Sequence, residues 1–281
     1  MSAYHQNIIA FYDVLENPLR MIWDLDKSYA IHYGYWDEKV KSFPESLLRM
    51  NEVMAETAQI KSHERVLDAG CGVGGSSIFL ARTIGCKTVG ITLSANQVQR
   101  AKKNAQNSGT AHLNEFKVMD YSHTDFEDAS FDVVWGCESI CYADNKEEFV
   151  KEVYRILKPG GRFIMADGMV QKFEDNDNPI VAKGRDGWAA NYVETPERFK
   201  QFLENTGFTN ITYRDITDHI MHSAKRLYWV SFPAKLNQWI RPLFGKTVAE
   251  HNKGNVDACK YQYLAFKKRL LVYGILCGVK R

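Results

Sequence analysis

Residues 66–75 read Val66-Leu-Asp-Ala-Gly-Cys-Gly-Val-Gly-Gly75, two apolar residues and an acid running into four glycines within six positions. Glycine accepts the positive φ that a tight turn demands and lets a ligand come close to the backbone. The stretch follows the apolar run 65–67 and precedes a helical pattern over 76–84, so it is expected to be a strand-to-helix turn. Outward from it the alternation continues, with a strand over 88–91, a helix over 95–108, strands over 115–118 and 131–135, and a helix over 146–157. A strand over 162–166 follows the turn Lys158-Pro-Gly-Gly161. Short apolar runs alternating with helices predict βαβ units, a parallel sheet, and a ligand crevice at the carboxyl edge of the strands.

The flanks read differently. Residues 1–62 form an N-terminal helical cap, broken at Asn17-Pro18 and across the aromatic stretch Tyr29-Ala-Ile-His-Tyr-Gly-Tyr-Trp36. A core over 63–168 follows, then a half over 169–281 with a helix over 196–205 and strands over 210–216 and 270–279. Between those two strands about fifty residues rich in aromatic and basic side chains are too long for a simple connection, which predicts a helical lid at about 218–268. No internal repeat or biased linker interrupts the chain, so 1–281 is expected to be one domain with insertions.

The 281 residues are 45% hydrophobic and 25% charged. That excludes disordered and collagen-like chains and allows a full core. Thirty-six Lys and Arg against 34 Asp and Glu leave +2, too near neutral for a dedicated nucleic-acid binder. The balance is uneven: residues 218–281 hold 12 basic and 3 acidic side chains, net +9, so the rest carries −7. No apolar run reaches the roughly 18 residues of a membrane span, and the opening residues lack a basic segment leading into an apolar one, so a soluble cytoplasmic protein is expected. The six cysteines include no CxxC pair, so reduced thiols and no metal site are expected.

By pattern, Gly70, Gly72 and Gly75 satisfy GxGxxG, which points to a dinucleotide. A nicotinamide site has an acid about 20 residues on, whereas the second strand here ends Gly90-Ile-Thr-Leu-Ser94. Asp68, just before the glycines, would repel a pyrophosphate and attract a cation. The acid followed by Gly-x-Gly-x-Gly, here Asp68, Gly70, Gly72 and Gly74, resembles the first motif of class I S-adenosylmethionine-dependent methyltransferases. Gly90-Ile-Thr-Leu-Ser-Ala-Asn-Gln97 is similar to the version found in cyclopropane fatty acid synthases and their relatives, and Glu138-Ser139 and Tyr142 resemble positions of sterol, tocopherol and terpene methyltransferases. The resemblance covers about 61–168. It implies a Rossmann-like sheet of seven strands, the last antiparallel, and S-adenosylmethionine as cofactor. It assigns Asp68 and the glycines to the cofactor, Thr92 and Gln97 to its ribose, and Asp120-Tyr121 to its adenine. The segment Ile31-His-Tyr-Gly-Tyr-Trp36 resembles a stretch that folds over the cofactor, placing Tyr33 there and His32 toward the acceptor.

Gly136-Cys-Glu-Ser-Ile-Cys-Tyr142 stands where the family's acceptor pocket begins. The resemblance makes Glu138 the candidate for proton removal or cation stabilisation, with Tyr142, in a position often held by His, as its partner. Ser139, Asp167 and Trp188 are candidate acceptor contacts. Methyl transfer from a sulfonium needs alignment of the acceptor and exclusion of water. When the acceptor is an alkene or aromatic carbon, it also needs aromatic faces for the developing charge and a base for the departing proton. Two aromatic-rich caps imply a small but bulky hydrophobic acceptor, such as an isoprenoid, sterol-like or prenyl-quinone-like molecule. The basic lid suits an anionic substrate group or an anionic membrane surface. Methylation of oxygen or nitrogen, a nicotinamide dehydrogenase and a non-catalytic cofactor binder remain open at this point.

Overall fold

The computed structural model describes residues 2–245 and 247–281; Met1 and Lys246, which fall in the expected cap and lid, lie outside the described residues. Helices α1 (Ala3–Trp23), α2 (Leu25–Ser28) and α3 (Phe43–Ala58) precede the sheet. The core then runs β1 (Arg65–Ala69), α4 (Gly75–Thr83), β2 (Lys87–Thr92), α5 (Ala95–Asn107), β3 (Asn114–Val118), β4 (Phe131–Cys137), α6 (Lys146–Ile156) and β5 (Leu157–Val170). After it come α7 (Pro179–Asp186), α8 (Pro196–Thr206), β6 (Phe208–Asp215), α9 (Thr217–Ile240), α10 (Glu250–Lys267) and β7 (Leu271–Lys280).

The seven strands order as β3-β2-β1-β4-β5-β7-β6, with β7 antiparallel to both neighbours. Dinucleotide-binding sheets use 3-2-1-4-5-6; here the last strand is slotted antiparallel between β5 and β6 instead. β1 and β4 lie side by side, and the chain winds outward from them in both directions, so their carboxyl ends open the crevice at the switch point. Alternate side chains of the buried strands feed two layers: Val66, Val133 and Trp135 pack toward the caps, whereas Leu67 and Val134 pack toward α6 and α8.

Two boundaries differ from the sequence reading. α1 does not break at Asn17-Pro18 but continues with Pro18 inside it. An interior proline costs about 3 kcal/mol, and the buried row Ile8, Phe11, Leu15, Leu19 and Trp23 offsets it by packing on the core. β5 starts early, at Leu157, and the expected turn is a bulge within it: Leu157 pairs with Phe131 and Arg162 with Val133, leaving residues 158–161 looped out. The lid is a helical hairpin, α9 against α10, with a single 3-10 turn, Arg241–Phe244, between them.

The cap reaches the glycine turn through backbone. A Cβ on Gly75 would stand 2.2 Å from the carbonyl oxygen of Tyr29, so the cap segment after α2 lies directly on the start of α4. Gly75→Ala is therefore expected to destabilise the protein by about 1–3 kcal/mol through overpacking, read as a lower denaturation midpoint with an unchanged slope.

Candidate active site

The glycine turn curls back on β2: the amides of Gly70 and Cys71 both donate to the Ile91 carbonyl, at 2.9 Å each. Gly70, Gly72 and Gly74 adopt φ of +87°, +52° and +91°, which side chains rarely tolerate. A Cβ on Gly70 would strike Ser139 at 2.4 Å, whereas one on Gly72 would meet nothing within 4 Å. The turn thus presses on the loop after β4 at one glycine and leaves a hollow at the next. That hollow belongs to a cavity lined by Asp68, Gly70, Gly72, His32, Thr92, Gln97, Met119, Tyr121 and Ser139.

Inside it, Asp68 Oδ2 accepts from the Ser77 amide at 3.1 Å and hydroxyl at 2.7 Å. Burial raises its carboxyl to about 6, while the Ser77 bonds pull the other way. Asp68 therefore anchors α4 and faces the cavity as well. Thr92 and Gln97 line the cavity but bond each other, Oγ1 to Oε1 at 2.6 Å, so the Thr92 proton is committed and the Gln97 amide nitrogen is the free donor. Tyr121 lines the wall with its hydroxyl on the Ser139 carbonyl. Asp120 does not reach it. Its Oδ1 accepts from the Ser122 amide in the turn after β3, and Oδ2 stands 3.7 Å from His5 on α1, so Met119 and Tyr121 form the wall there instead.

A second cavity adjoins the first, lined by Tyr12, Trp23, Tyr33, Asp167, Arg185, Trp188, Leu227, Gln262, Phe266 and Tyr273 among others. Tyr12, Ile31, Glu138 and Tyr142 line both, so the two catalytic candidates of the sequence sit in the shared wall. Two expectations exchange places: His32 lines the first cavity and Tyr33 the second, because neighbouring side chains diverge along the non-helical segment between α2 and α3. His32 Nδ1 donates to the Tyr33 carbonyl at 2.9 Å, and burial lowers the ring to about 4, so Nε2 is a buried lone pair with no partner. Ser139 also lies on the first cavity, its hydroxyl given to the Ala69 carbonyl at 2.5 Å, since the turn tucks it against Gly70.

Glu138 has φ of +49°, a conformation disfavoured for a residue with a Cβ. Its amide donates to the Ala166 carbonyl at 2.8 Å. Its Oε1 accepts from the Tyr33 amide at 2.5 Å and the Tyr273 hydroxyl at 2.7 Å, leaving Oε2 without a donor. Burial pushes the carboxyl up to about 8 against those two bonds, and nearby Asp167 adds to the rise. Tyr142 is not its partner: that hydroxyl donates to the Trp188 carbonyl at 2.9 Å and accepts from Tyr12 at 3.0 Å. Tyr273 holds the place, and no sequence signal marked it, because it enters from β7, 135 residues away.

Asp167 receives the amides of Cys141 and Gly168, both at 2.9 Å, so it clamps the turn behind Glu138. Lys146, buried beneath, donates to the carbonyls of Cys141 and Tyr192. Trp188 meets Trp23 edge to face with centroids 5.9 Å apart, and its buried Nε1 has no partner. Among the described residues no group of His, Cys, Asp or Glu is placed to hold a metal ion.

The raised carboxyl at Glu138 has a consequence for stability. An unfolded glutamate gives up its proton near 4.5, whereas this one keeps it to about 8, so between those values the folded state binds more protons and loses stability as pH rises. Glu138→Gln lacks that term. The melting temperature of the variant relative to the parent is expected to climb from about pH 5 to pH 8; a constant difference would show that the carboxylate is solvated.

The hollow at Gly72, the orphaned His32 nitrogen and the acid beside the turn suit a cationic nucleoside with an amino-acid end. Comparison with known proteins agrees. A family described as "Methyltransferase domain" matches residues 67–165. Methyltransferase GfsG of Streptomyces halstedii is 28% identical over 219 residues, which are 77% of each chain. Sterol 24-C-methyltransferase of Saccharomyces cerevisiae is 29% identical over 228 residues, 78% of this chain but 57% of its own. A solved geranyl diphosphate methyltransferase, in complex with geranyl diphosphate and sinefungin, superposes over 100% of both chains with a TM-score of 0.77 at 18% identity. Its likeness carries the fold. The sheet order, the cofactor cavity and the sequence relatives together set aside the dinucleotide reading, and residues 67–165 are a methyltransferase domain of the class I, S-adenosylmethionine-dependent kind.

Proposed function

We propose that the protein moves the methyl group of S-adenosylmethionine onto a carbon of a small hydrophobic acceptor of isoprenoid, sterol-like or prenyl-quinone-like structure. The observation that carries this reading is the Glu138 carboxylate in the wall between the two cavities, with one oxygen free of donors. Asp68, the glycine turn, His32, Gln97 and Tyr121 would hold the cofactor, which supplies an electrophilic methyl on a positively charged sulfur. The second cavity would hold the acceptor, and Tyr12, Ile31 and Tyr142 would close the seam between the two against water.

When one carbon of an alkene or ring takes a methyl, its neighbour gains positive charge, which the faces of Tyr33, Trp188 and Tyr273 around the cavity would stabilise. A C–H bond on the methylated carbon, next to the cation, then breaks, its electron pair restores the double bond, and the proton would pass to Glu138 Oε2. A carboxyl raised to about 8 binds that proton more firmly than an ordinary one. The cation on this cavity's wall, Arg185, is engaged by Asp186 at 2.9 Å and the Asn176 carbonyl at 3.3 Å. A diphosphate head would find no free counter-charge, which favours an acceptor whose enclosed part is neutral. The carboxylates Glu138 and Asp167 in one wall suit a second reading, an amine acceptor, but Asp167 is spent on two amides.

Incubation with sterols, prenyl quinols, prenyl diphosphates and amines, followed by mass and NMR analysis of the product, tests the reading. A new carbon–methyl bond is expected, and a product methylated on nitrogen or oxygen would overturn it. Glu138→Gln should lower kcat by about 10²-fold or more while S-adenosylhomocysteine affinity stays unchanged. The parent's kcat should rise with pH through an inflection near 8; Tyr273→Phe, which removes a donor to the carboxylate, should move that inflection upward. Gly72→Asn keeps a residue that tolerates positive φ and fills the hollow. It should abolish S-adenosylhomocysteine binding measured by calorimetry while leaving the melting temperature nearly unchanged.

A further inference from the structure

The outer face of the lid has no part in either cavity. Along α9 and the 3-10 turn after it, Trp229, Phe232, Leu236, Trp239 and Leu243 recur at three- and four-residue spacing, so they form one stripe. The stripe spans about 21 Å at 1.5 Å per residue. All five are exposed, with Trp239 and Leu243 at 71%, and Phe244 beside them reaches 74%. These six make up most of the eleven large hydrophobic residues that the described chain exposes, so the patch is concentrated rather than scattered. The opposite face of α9, with Ile220, Ala224 and Leu227, is buried, and Leu227 reaches the acceptor cavity.

Charge identifies the occupant. Residues 219–249 contain five Lys and Arg and no Asp or Glu. Lys235 pairs with Asp257 across the hairpin, and Arg226 donates to the Ile22 carbonyl. Lys225 is exposed one turn before Trp229, on the same side of the helix, and the half-buried Arg241 lies between Trp239 and Leu243 at the stripe's other end. A second copy of this chain docked by twofold symmetry would set this net-basic patch against itself, cation facing cation. A helix with tryptophans and leucines on one side and basic residues at its margins matches an anionic lipid surface. No helix among the described residues is long and apolar enough to cross a membrane, so the contact is in the plane of the surface.

We propose that the lid docks on an anionic bilayer, with the stripe Trp229–Trp239–Leu243 buried at the boundary between headgroups and acyl chains and Lys225 and Arg241 against the phosphates. The docked helix then separates the bilayer from the cavity wall at Leu227, so the membrane stands at the acceptor side of the molecule. This proposal does not depend on the acceptor's identity.

Co-sedimentation with vesicles of phosphatidylcholine, with and without phosphatidylglycerol, tests it on the intact chain. Binding is expected to the vesicles containing phosphatidylglycerol, to weaken with added salt, and to shift tryptophan emission to the blue. The triple variant Trp229→Ser, Trp239→Ser, Leu243→Ser should lose about tenfold or more in vesicle affinity. Lys225→Glu with Arg241→Glu should weaken binding to the anionic vesicles alone. Unchanged S-adenosylhomocysteine affinity in both variants shows that they remain folded. Absence of binding by the parent, equal binding by the triple variant, or a dimer dissociated by that variant in place of vesicle binding would overturn the proposal.

Discussion

One half-buried carboxylate joins three distant parts of the chain. Glu138 Oε1 accepts a hydrogen bond from the Tyr33 amide in the cap segment and another from the Tyr273 hydroxyl on the last strand, while its own amide donates to the Ala166 carbonyl on β5. Leaving such a group unpaired inside a protein is costly, so the two donors are needed wherever the acid is. The cap, the turn after β4 and the last strand must close together for this arrangement to exist. The wall between the two cavities is a result of that closure.

The surrounding polar groups hold the turn instead of competing for the acid. Asp167 and Lys146 bond backbone on either side of Cys141, and the Tyr12–Tyr142 pair bonds onward to Trp188. The positive φ of Glu138 is thereby sustained by neighbours on α1, α6 and β5, the way strain is kept at functional sites. α9 adds an asymmetry: its inner side completes the acceptor cavity, and its outer side carries an unpartnered apolar stripe edged by basic residues. One helix thus connects the interior chemistry with the surface on which the molecule would act.

Much of the core was legible from residue types alone. The acid and glycines of 66–75, the alternating runs after them and the Pro-Gly turn each impose a local geometry, and local geometry is what periodicity reports. The lid was legible by its length. The side-chain partnerships were not: Thr92 and Gln97 were matched to a ligand, yet they bond each other. Asp120 was matched likewise, yet a turn amide takes it. The resemblance makes Tyr142 the partner of Glu138, whereas the actual donor comes from a strand 135 residues away.

The sequence by itself determined where the backbone can turn tightly and which segments must bury an apolar face, because both follow from the φ range and solvation of individual residues. Tertiary structure alone decided which way His32 and Tyr33 point, which hydroxyl reaches Glu138, and that β7 lies antiparallel between β5 and β6. A hydrogen bond between remote segments depends on the relative position of whole elements, and that position is set by the packing of the entire core.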